Sequence, residues 1–245
     1  MLPLNQVISK KIGRAIFDYK MIKENDKILV AVSGGKDSLT MLYDLIQRRK
    51  SFPIHYDIVA AHIKTDFDNG CQKNVLEDIF QKWNVDYRIV NVSVIERLKP
   101  GKKMNCYWCS TQRRIELMKL SDELGCNKVA LGHHLDDIVE TFLMNICLKG
   151  QISTMLPVLE YKKFPHTVIR PLALVPEHMI IKFTKLLGID SITCKCPYGT
   201  NSGRKEIKEV VRLITDKNKF ALENIFKAMH NVKSDFLINQ EDIGE

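Results

Sequence analysis

The chain has 245 residues, 45% hydrophobic and 27% charged, proportions of a folded globular protein that argue against disorder except over the last residues, 239–245. Lys and Arg number 37 against 29 Asp and Glu, a formal net charge of +8 with a pI near 9.0, which suits a polyanionic partner as well as a merely basic, solvated surface. The first 20 residues lack the pattern of a signal peptide and no apolar run approaches the roughly 18 residues of a membrane span. The expectation is therefore a cytoplasmic chain with no membrane segment, whose seven cysteines are metal ligands, catalytic groups or core residues rather than a disulfide framework.

In chain order, residues 7–22 read as an amphipathic helix leading into a first strand at 27–32. Further apolar runs of strand type follow at 56–63, 87–92 and 128–132. Between them, 38–49, 74–83 and 111–124 repeat apolar residues at spacings of three and four, the helical period. Strands alternating with helices predict an α/β fold, a parallel sheet with helices on both faces, whose ligands sit beyond the carboxyl ends of the strands. After Gly150 the pattern changes: four prolines, a helical segment, a Cys-rich turn and a charged helix over 204–217. The division expected is a helical lead-in over 1–26, a nucleotide-binding domain over 27–150 and a smaller, mainly helical extension over 151–245.

The first strand runs into Ser33-Gly34-Gly35-Lys36-Asp37-Ser38. Paired glycines let the backbone approach a ligand, and successive N–H groups ahead of a helix form an anion nest. Lys36 adds a point charge, while Asp37 and Ser38 stand where Asp and Ser cap a helix start. The turn lacks the leading glycine of a Walker A loop and is not a dinucleotide fingerprint. Residues 130–145 bring His133, His134, Asp136 and Asp137 to the same sheet edge. Two carboxylates beside a phosphate suit Mg²⁺, although one of them is expected simply to cap its helix. Neighbouring histidines point apart, which excludes a metal site made from that pair.

Cys106 and Cys109 form a C-x-x-C that could chelate a metal, act as a redox pair or be coincidence. Cys194 and Cys196 lie far downstream. Spacing alone leaves open a closed Cys₄ zinc site, an iron–sulfur cluster on three cysteines, and no metal at all. Cys71, Cys126 and Cys147 stand singly and read as packing residues.

The glycine turn, the C-x-x-C some seventy residues later, "GHHLDD" (132–137) and "CPYGTNSGR" (196–204), in that order over about residues 7–217, resemble the tRNA 2-thiocytidine synthetase family (TtcA) of the PP-loop ATP pyrophosphatase superfamily. That resemblance implies ATP at Ala31, Ser33, Gly34, Gly35, Lys36, Asp37, Ser38, His62, Gly132 and Asp137, with Lys36, Asp37 and Asp137 catalytic. It implies Mg²⁺ on Asp136 or Asp137, and a 4Fe-4S cluster on Cys106, Cys109 and Cys196, with Cys194 as the alternative third ligand. The implied reaction adenylates the C2 oxygen of an anticodon-loop cytidine in tRNA and replaces it with sulfur, taken from a cysteine desulfurase persulfide or free sulfide. Lys102, Lys103, Arg113, Arg114 and Arg204 are the implied RNA contacts, residues 151–245 complete the cluster and tRNA site, and a homodimer is typical of the family.

Zinc-ribbon cysteine pairs of the sister thiouridine synthetases are absent from both ends, which favours cytidine over uridine as target. Tyr107 and Trp108 either stack on the target base or cover the cluster. The rivals are a PP-loop ligase acting on a small molecule and a non-catalytic iron–sulfur or RNA-binding module.

Overall fold

A computed structural model describes residues 3–67, 71–161, 165–189 and 202–238. The opening helix α1 (Leu4–Asp18) buries Ile8, Ile12, Ala15 and Ile16 as one stripe, the spacing of a helix with a single apolar face. The chain then alternates β1 (Asp26–Ala31), α2 (Lys36–Arg49), β2 (Tyr56–Thr65), α3 (Cys71–Lys82), β3 (Asp86–Val92), α4 (Cys106–Glu123), β4 (Lys128–Ala130) and α5 (Leu135–Lys149). Two short strands follow, β5 (Val158–Glu160) and β6 (Thr167–Ile169), and then α6 (Glu177–Leu186), α7 (Ser202–Lys217) and α8 (Ala221–Ala228).

The strands form one six-stranded sheet in the order β3-β2-β1-β4-β6-β5. All neighbours are parallel except β5 against β6. The expected parallel sheet is present, but two of its strands were not read from the sequence. At three residues each, β5 and β6 are too short to display a period, and Pro157, Pro165 and Pro171 around them read as loop. They lie past the change of pattern near residue 150, so the sheet runs across that point.

Helices cover both faces unequally. On one face α4 lays Leu117, Met118 and Leu120 over Leu29, Val59, Ala61, Ile63, Val129 and Val168. On the other, α1, α2, α3, α5 and α6 enclose Ile28, Val30, Ile58 and Ala60, and α7 and α8 extend the same core through Ile207, Val211, Leu222 and Phe226. Each large side chain so buried contributes about 1.5–3 kcal/mol. One polar tie runs through this layer. Arg48 on α2 pairs with Asp44 at 3.0 Å and donates to the Ser9 hydroxyl of α1 at 2.9 Å. It occupies the space left by Gly13, whose missing Cβ would stand 2.7 Å from the guanidinium.

β1 lies between β2 and β4, and the connection after β1 leads one way along the sheet while that after β4 leads the other. The loops after β1 and β4 therefore part at the carboxyl edge and leave a crevice, the place where such sheets bind ligands. No helix among the described residues is long and apolar enough to cross a membrane.

Candidate active site

The glycine turn is built to leave helix α2 open. Gly34 takes φ +85°, the left-handed region that favours glycine. The Ser38 hydroxyl donates to the Gly35 carbonyl at 2.9 Å and accepts from the Ser33 N–H at 3.2 Å, while the Gly35 N–H donates to the Ser33 hydroxyl at 3.3 Å. These bonds close the turn on itself. The expectation that Asp37 and Ser38 cap the helix is corrected: α2 starts at Lys36 with no side-chain cap, because Ser38 is bound to the turn. Asp37 turns one oxygen to Lys36 at 3.1 Å and buries the other, Oδ1, without a hydrogen-bond partner. Uncapped N–H groups beside an orphaned carboxylate oxygen fit a phosphate with its cation. Gly132, at the end of β4, comes so close that a Cβ there would lie 3.0 Å from the Ser38 nitrogen.

A cavity of about 300 Å³ opens beside the turn. Ala31, Ala61, Ile63, Leu117 and Leu131 make an apolar wall, and Ser33, Asp37, Ser38, Gly132, His133 and Asp137 a polar rim; Ser110, Arg113 and Arg114 close it from α4. An apolar slot ending in an anion nest suits a nucleotide: base on the sheet, phosphates on the turn. Of the residues read as ATP contacts, Ala31, Ser33, Asp37, Ser38, Gly132 and Asp137 line this cavity. His62 does not. It lies between Ala61 and Ile63 on an alternating strand, so its buried ring faces the opposite side of the sheet and meets the Val32 carbonyl at 2.8 Å. Arg113 and Arg114, read as RNA contacts, line the nucleotide cavity itself.

Lys36 does not line the cavity. Its ammonium lies 2.9 Å from Glu177 Oε1 at the start of α6, and Lys208 of α7 holds the other Glu177 oxygen at 2.8 Å. Burial alone would raise the Glu177 carboxyl, but hydrogen bonds and charge from Lys208 and Lys36 outweigh it and bring its pKa down to about 2. Burial works against the Lys36 ammonium, and its carboxylate partners more than offset that and hold its pKa above the ordinary value.

The second half of the site is a chain of carboxylates and arginines. His134 and Asp137 form a reciprocal capping box at the start of α5, and Arg204 of α7 bridges Asp137 and Glu140. Asp136 turns away from the cavity and accepts the Glu177 N–H at 2.7 Å, capping α6 instead of its own helix. Of the two carboxylates offered for Mg²⁺, only Asp137 lines the cavity. Arg204, read as an RNA contact, is committed to these carboxylates. Buried Arg170 donates to His133 Nδ1 at 3.3 Å; since guanidinium only donates, that nitrogen carries a lone pair. Burial first, then the neighbouring arginines, push the His133 pKa down to about 4 against the pull of Asp137. Glu177, Glu140, Arg170 and Lys208 were not singled out in the sequence. Pro176-Glu177 is a helix-start signal, yet nothing local says that its carboxylate reaches Lys36.

Cys106 and Cys109 occupy the first turn of α4 and are both half-buried. The helix begins five residues before the periodic stretch because Asn105 caps it, accepting the Trp108 N–H at 2.8 Å, so the thiol pair belongs to a helix and not to a loop. Residues three apart on a helix share a face, which fits two thiolates on one metal centre. No group of three metal-ligating side chains gathers among the described residues, and Cys194 and Cys196 lie outside them. Lys102 and Lys103 are exposed just ahead of α4. Cys126 is buried, as read, whereas Cys147 is exposed on α5.

The glycine turn, its cavity and the sheet define a nucleotide-binding protein of the PP-loop class, and residues 4–212 match the PP-loop domain family. A tRNA-cytidine(32) 2-sulfurtransferase of Variovorax paradoxus is 39% identical over 240 residues, 96% of this chain and 77% of that one. That of Polynucleobacter necessarius is 36% identical over 242 residues, 97% and 80% of the two chains. The chain belongs to the tRNA-cytidine(32) 2-sulfurtransferase family. Among solved structures, the U34-tRNA thiolase NcsA from Methanococcus maripaludis with its 4Fe-4S cluster superposes with a TM-score of 0.76 at 24% identity, covering 93% of this chain and 78% of that one. An NH₃-dependent NAD synthetase from Campylobacter jejuni shares the fold at a TM-score of 0.54 and 13% identity, each chain covered in full.

Proposed function

We propose that this protein is an ATP-dependent tRNA sulfurtransferase that converts a cytidine of the anticodon loop to 2-thiocytidine. The observation that carries this reading is that one helix, α4, bears the thiol pair in its first turn and the wall of the nucleotide cavity in its second and third. A pure binder, or a ligase acting on a small molecule, has no need of that union.

ATP lies with its base on the apolar wall and its phosphates on residues 33–38. The cytosine C2 oxygen attacks the α-phosphorus, the bond to the β-phosphate oxygen breaks and pyrophosphate leaves. A sulfur nucleophile then adds to C2 and AMP departs with the oxygen, so that a poor leaving group has been exchanged for a good one. Lys36, released from Glu177 to the phosphates, steadies the charge that gathers on them. Asp37 and Asp137 face the same space and would hold Mg²⁺, which supplies further charge neutralisation. Cys106 and Cys109, with Cys196 or alternatively Cys194, would hold a 4Fe-4S cluster, which supplies an open iron site for sulfur.

The reading includes tRNA as partner, held in part by Lys102 and Lys103, and sulfur from a cysteine desulfurase persulfide or free sulfide. A cytoplasmic setting and a homodimeric assembly belong to it as well. Residues 27–150 supply the activating half, and residues 151–245 add Glu177, Arg204 and Lys208 together with the downstream cysteines.

Nucleoside mass spectrometry of tRNA from cells with and without the gene tests the reaction. Loss of 2-thiocytidine is expected, and unchanged thionucleosides would overturn the reading. Loss of a thiouridine instead would redirect it to the second target base, which the fold shared with a U34 thiolase keeps in view. Anaerobic purification should yield iron and sulfide, whereas stoichiometric zinc without iron would exclude the cluster.

A further inference from the structure

We propose that Arg113 is a further catalytic residue, the guanidinium that holds the α-phosphate while it is joined to the base; the proposal rests on the thiolase reading above. Cys106, Cys109 and Arg113 occupy positions i, i+3 and i+7 of α4, so at about 100° per residue the three fall within about 60° of one another around the axis. Arg113 lines the nucleotide cavity, as does Leu117 one turn further along the same stripe. Cys109 packs against the core that α4 shares with the sheet. The thiols therefore face the side of α4 that borders the cavity. Arg113 follows Cys109 by about 6 Å along the axis, and its side chain leans back toward the helix start, which puts the guanidinium on the thiol side of the cavity. Tyr107 and Trp108 point at least about 100° away from Cys106; the first is 81% exposed, and the second donates its indole N–H to the Val94 carbonyl at 3.0 Å.

The charges on the cavity wall point the same way. Among the described residues that line it, Asp37 and Asp137 are acidic, and Arg113 and Arg114 are the lysine or arginine side chains present. Lys36 stands outside, held by Glu177. Arg114 is exposed, whereas Arg113 is half-buried. Among the described residues Arg113 enters no ion pair, while Arg97, Arg204 and Arg212 each meet a carboxylate. A half-buried guanidinium left unpaired on the wall of a nucleotide cavity is complementary to an anion there, and its planar fork suits two oxygens of one phosphate. Charge gathers on the α-phosphate twice. The cytosine C2 oxygen first bonds to phosphorus as pyrophosphate leaves; sulfur then bonds to C2, the C2–O bond breaks, and its electron pair departs on the oxygen of AMP. A phosphate held from the thiol stripe keeps the base joined to it on the side from which sulfur comes. Arg113 thus holds the phosphate that stays, and Lys36 the two that leave.

The test compares wild type, Arg113→Gln and Arg113→Lys, each prepared anaerobically as the full chain. Calorimetry reads the binding of AMP and of adenosine, and a second assay reads thiolation of a tRNA transcript with ATP and sulfide. Arg113→Gln should weaken AMP by about 10–100-fold and leave adenosine within about threefold, since the lost contact touches only the phosphate. Its kcat for thiolation should fall by about 100–1000-fold with iron content unchanged. Arg113→Lys keeps the charge without the fork, and should lie between Gln and wild type in both measures. Unchanged AMP affinity in Arg113→Gln would overturn the proposal. An equal loss of adenosine affinity would make Arg113 a mere wall of the cavity and overturn it too. So would a raised KM for tRNA with shallower salt dependence and intact AMP binding, the signs of a contact to the RNA backbone. Wild-type protein that binds AMP but thiolates no tRNA would instead remove the thiolase reading itself, and this proposal with it.

Discussion

Glu177 decides what Lys36 does. The ammonium proposed to neutralise the phosphates is held 2.9 Å from this carboxylate, which is itself shared with Lys208. Under that proposal ATP competes with a carboxylate for the ammonium. Lys36→Ala is expected to abolish thiolation while the protein still folds and retains iron, read by nucleoside mass spectrometry and metal analysis. Glu177→Gln releases Lys36 but sets two cations facing each other, so KM for ATP should fall while stability drops. The pH dependence has a definite sign. With its pKa depressed from 4.5 to about 2, Glu177 stabilises the fold fully above about pH 4.5, and that contribution disappears as pH falls through 2. It is on the order of 2 kcal/mol after solvent screening. Urea titrations from pH 7 to 3 should show a shallower acid loss in Glu177→Gln. A second loss, between pH 6.5 and 4, belongs to His133, which stays neutral in the fold while the unfolded chain takes a proton, and the variant should leave that one in place.

At the scale of elements, the site is where two strand ends hand over to helices. The β4 end can approach α2 only because position 132 carries no side chain. In Gly132→Ala the new Cβ meets the Ser38 nitrogen at 3.0 Å and its Cα at 3.1 Å, and backbone on both sides must move. The expected result is a rise in KM for ATP of roughly tenfold or more, since a small displacement of positioning groups has large kinetic effects, with folding retained by circular dichroism. This contrast also explains what could be read beforehand. Ser33 to Ser38 and His133 to Asp137 were legible because each is a contiguous stretch whose chemistry follows from residue type and spacing. The partnership of Lys36 with Glu177 spans some 140 positions of sequence, and that of Arg204 with Asp137 nearly 70; only the packing of α6 and α7 against α2 and α5 creates them. Apolar runs likewise predicted four strands and missed β5 and β6, which at three residues each are too short to stand out. The helical start of α4 was missed because Cys, Tyr and Trp in its first turn carry no apolar period.

Over the whole molecule the two faces of the sheet differ in how they are secured. On the crowded face α1 is tied to α2 through Arg48, Asp44 and Ser9. Burial pushes the Asp44 carboxyl upward, with Arg48 opposing. Removing the guanidinium in Arg48→Ala strands a buried carboxylate, expected to cost about 3 kcal/mol or more by denaturant titration, while thiolation per folded molecule stays near wild type because the tie is remote from the cavity. On the other face the described covering is α4 alone.

That solitary helix fixes a length. The thiols of its first turn and the arginines that line the cavity belong to one rigid rod, so under the proposed function the span from sulfur to phosphates is set by peptide geometry alone. One extra residue inserted between Cys109 and Arg113 would swing the thiols about 100° around the axis, and seven would bring them back to nearly the same facing but about 10.5 Å farther out. Both insertions should leave pyrophosphate release intact and silence thiolation, the first through wrong direction and the second through wrong distance. α4 is in that sense a ruler between the thiols and the cavity.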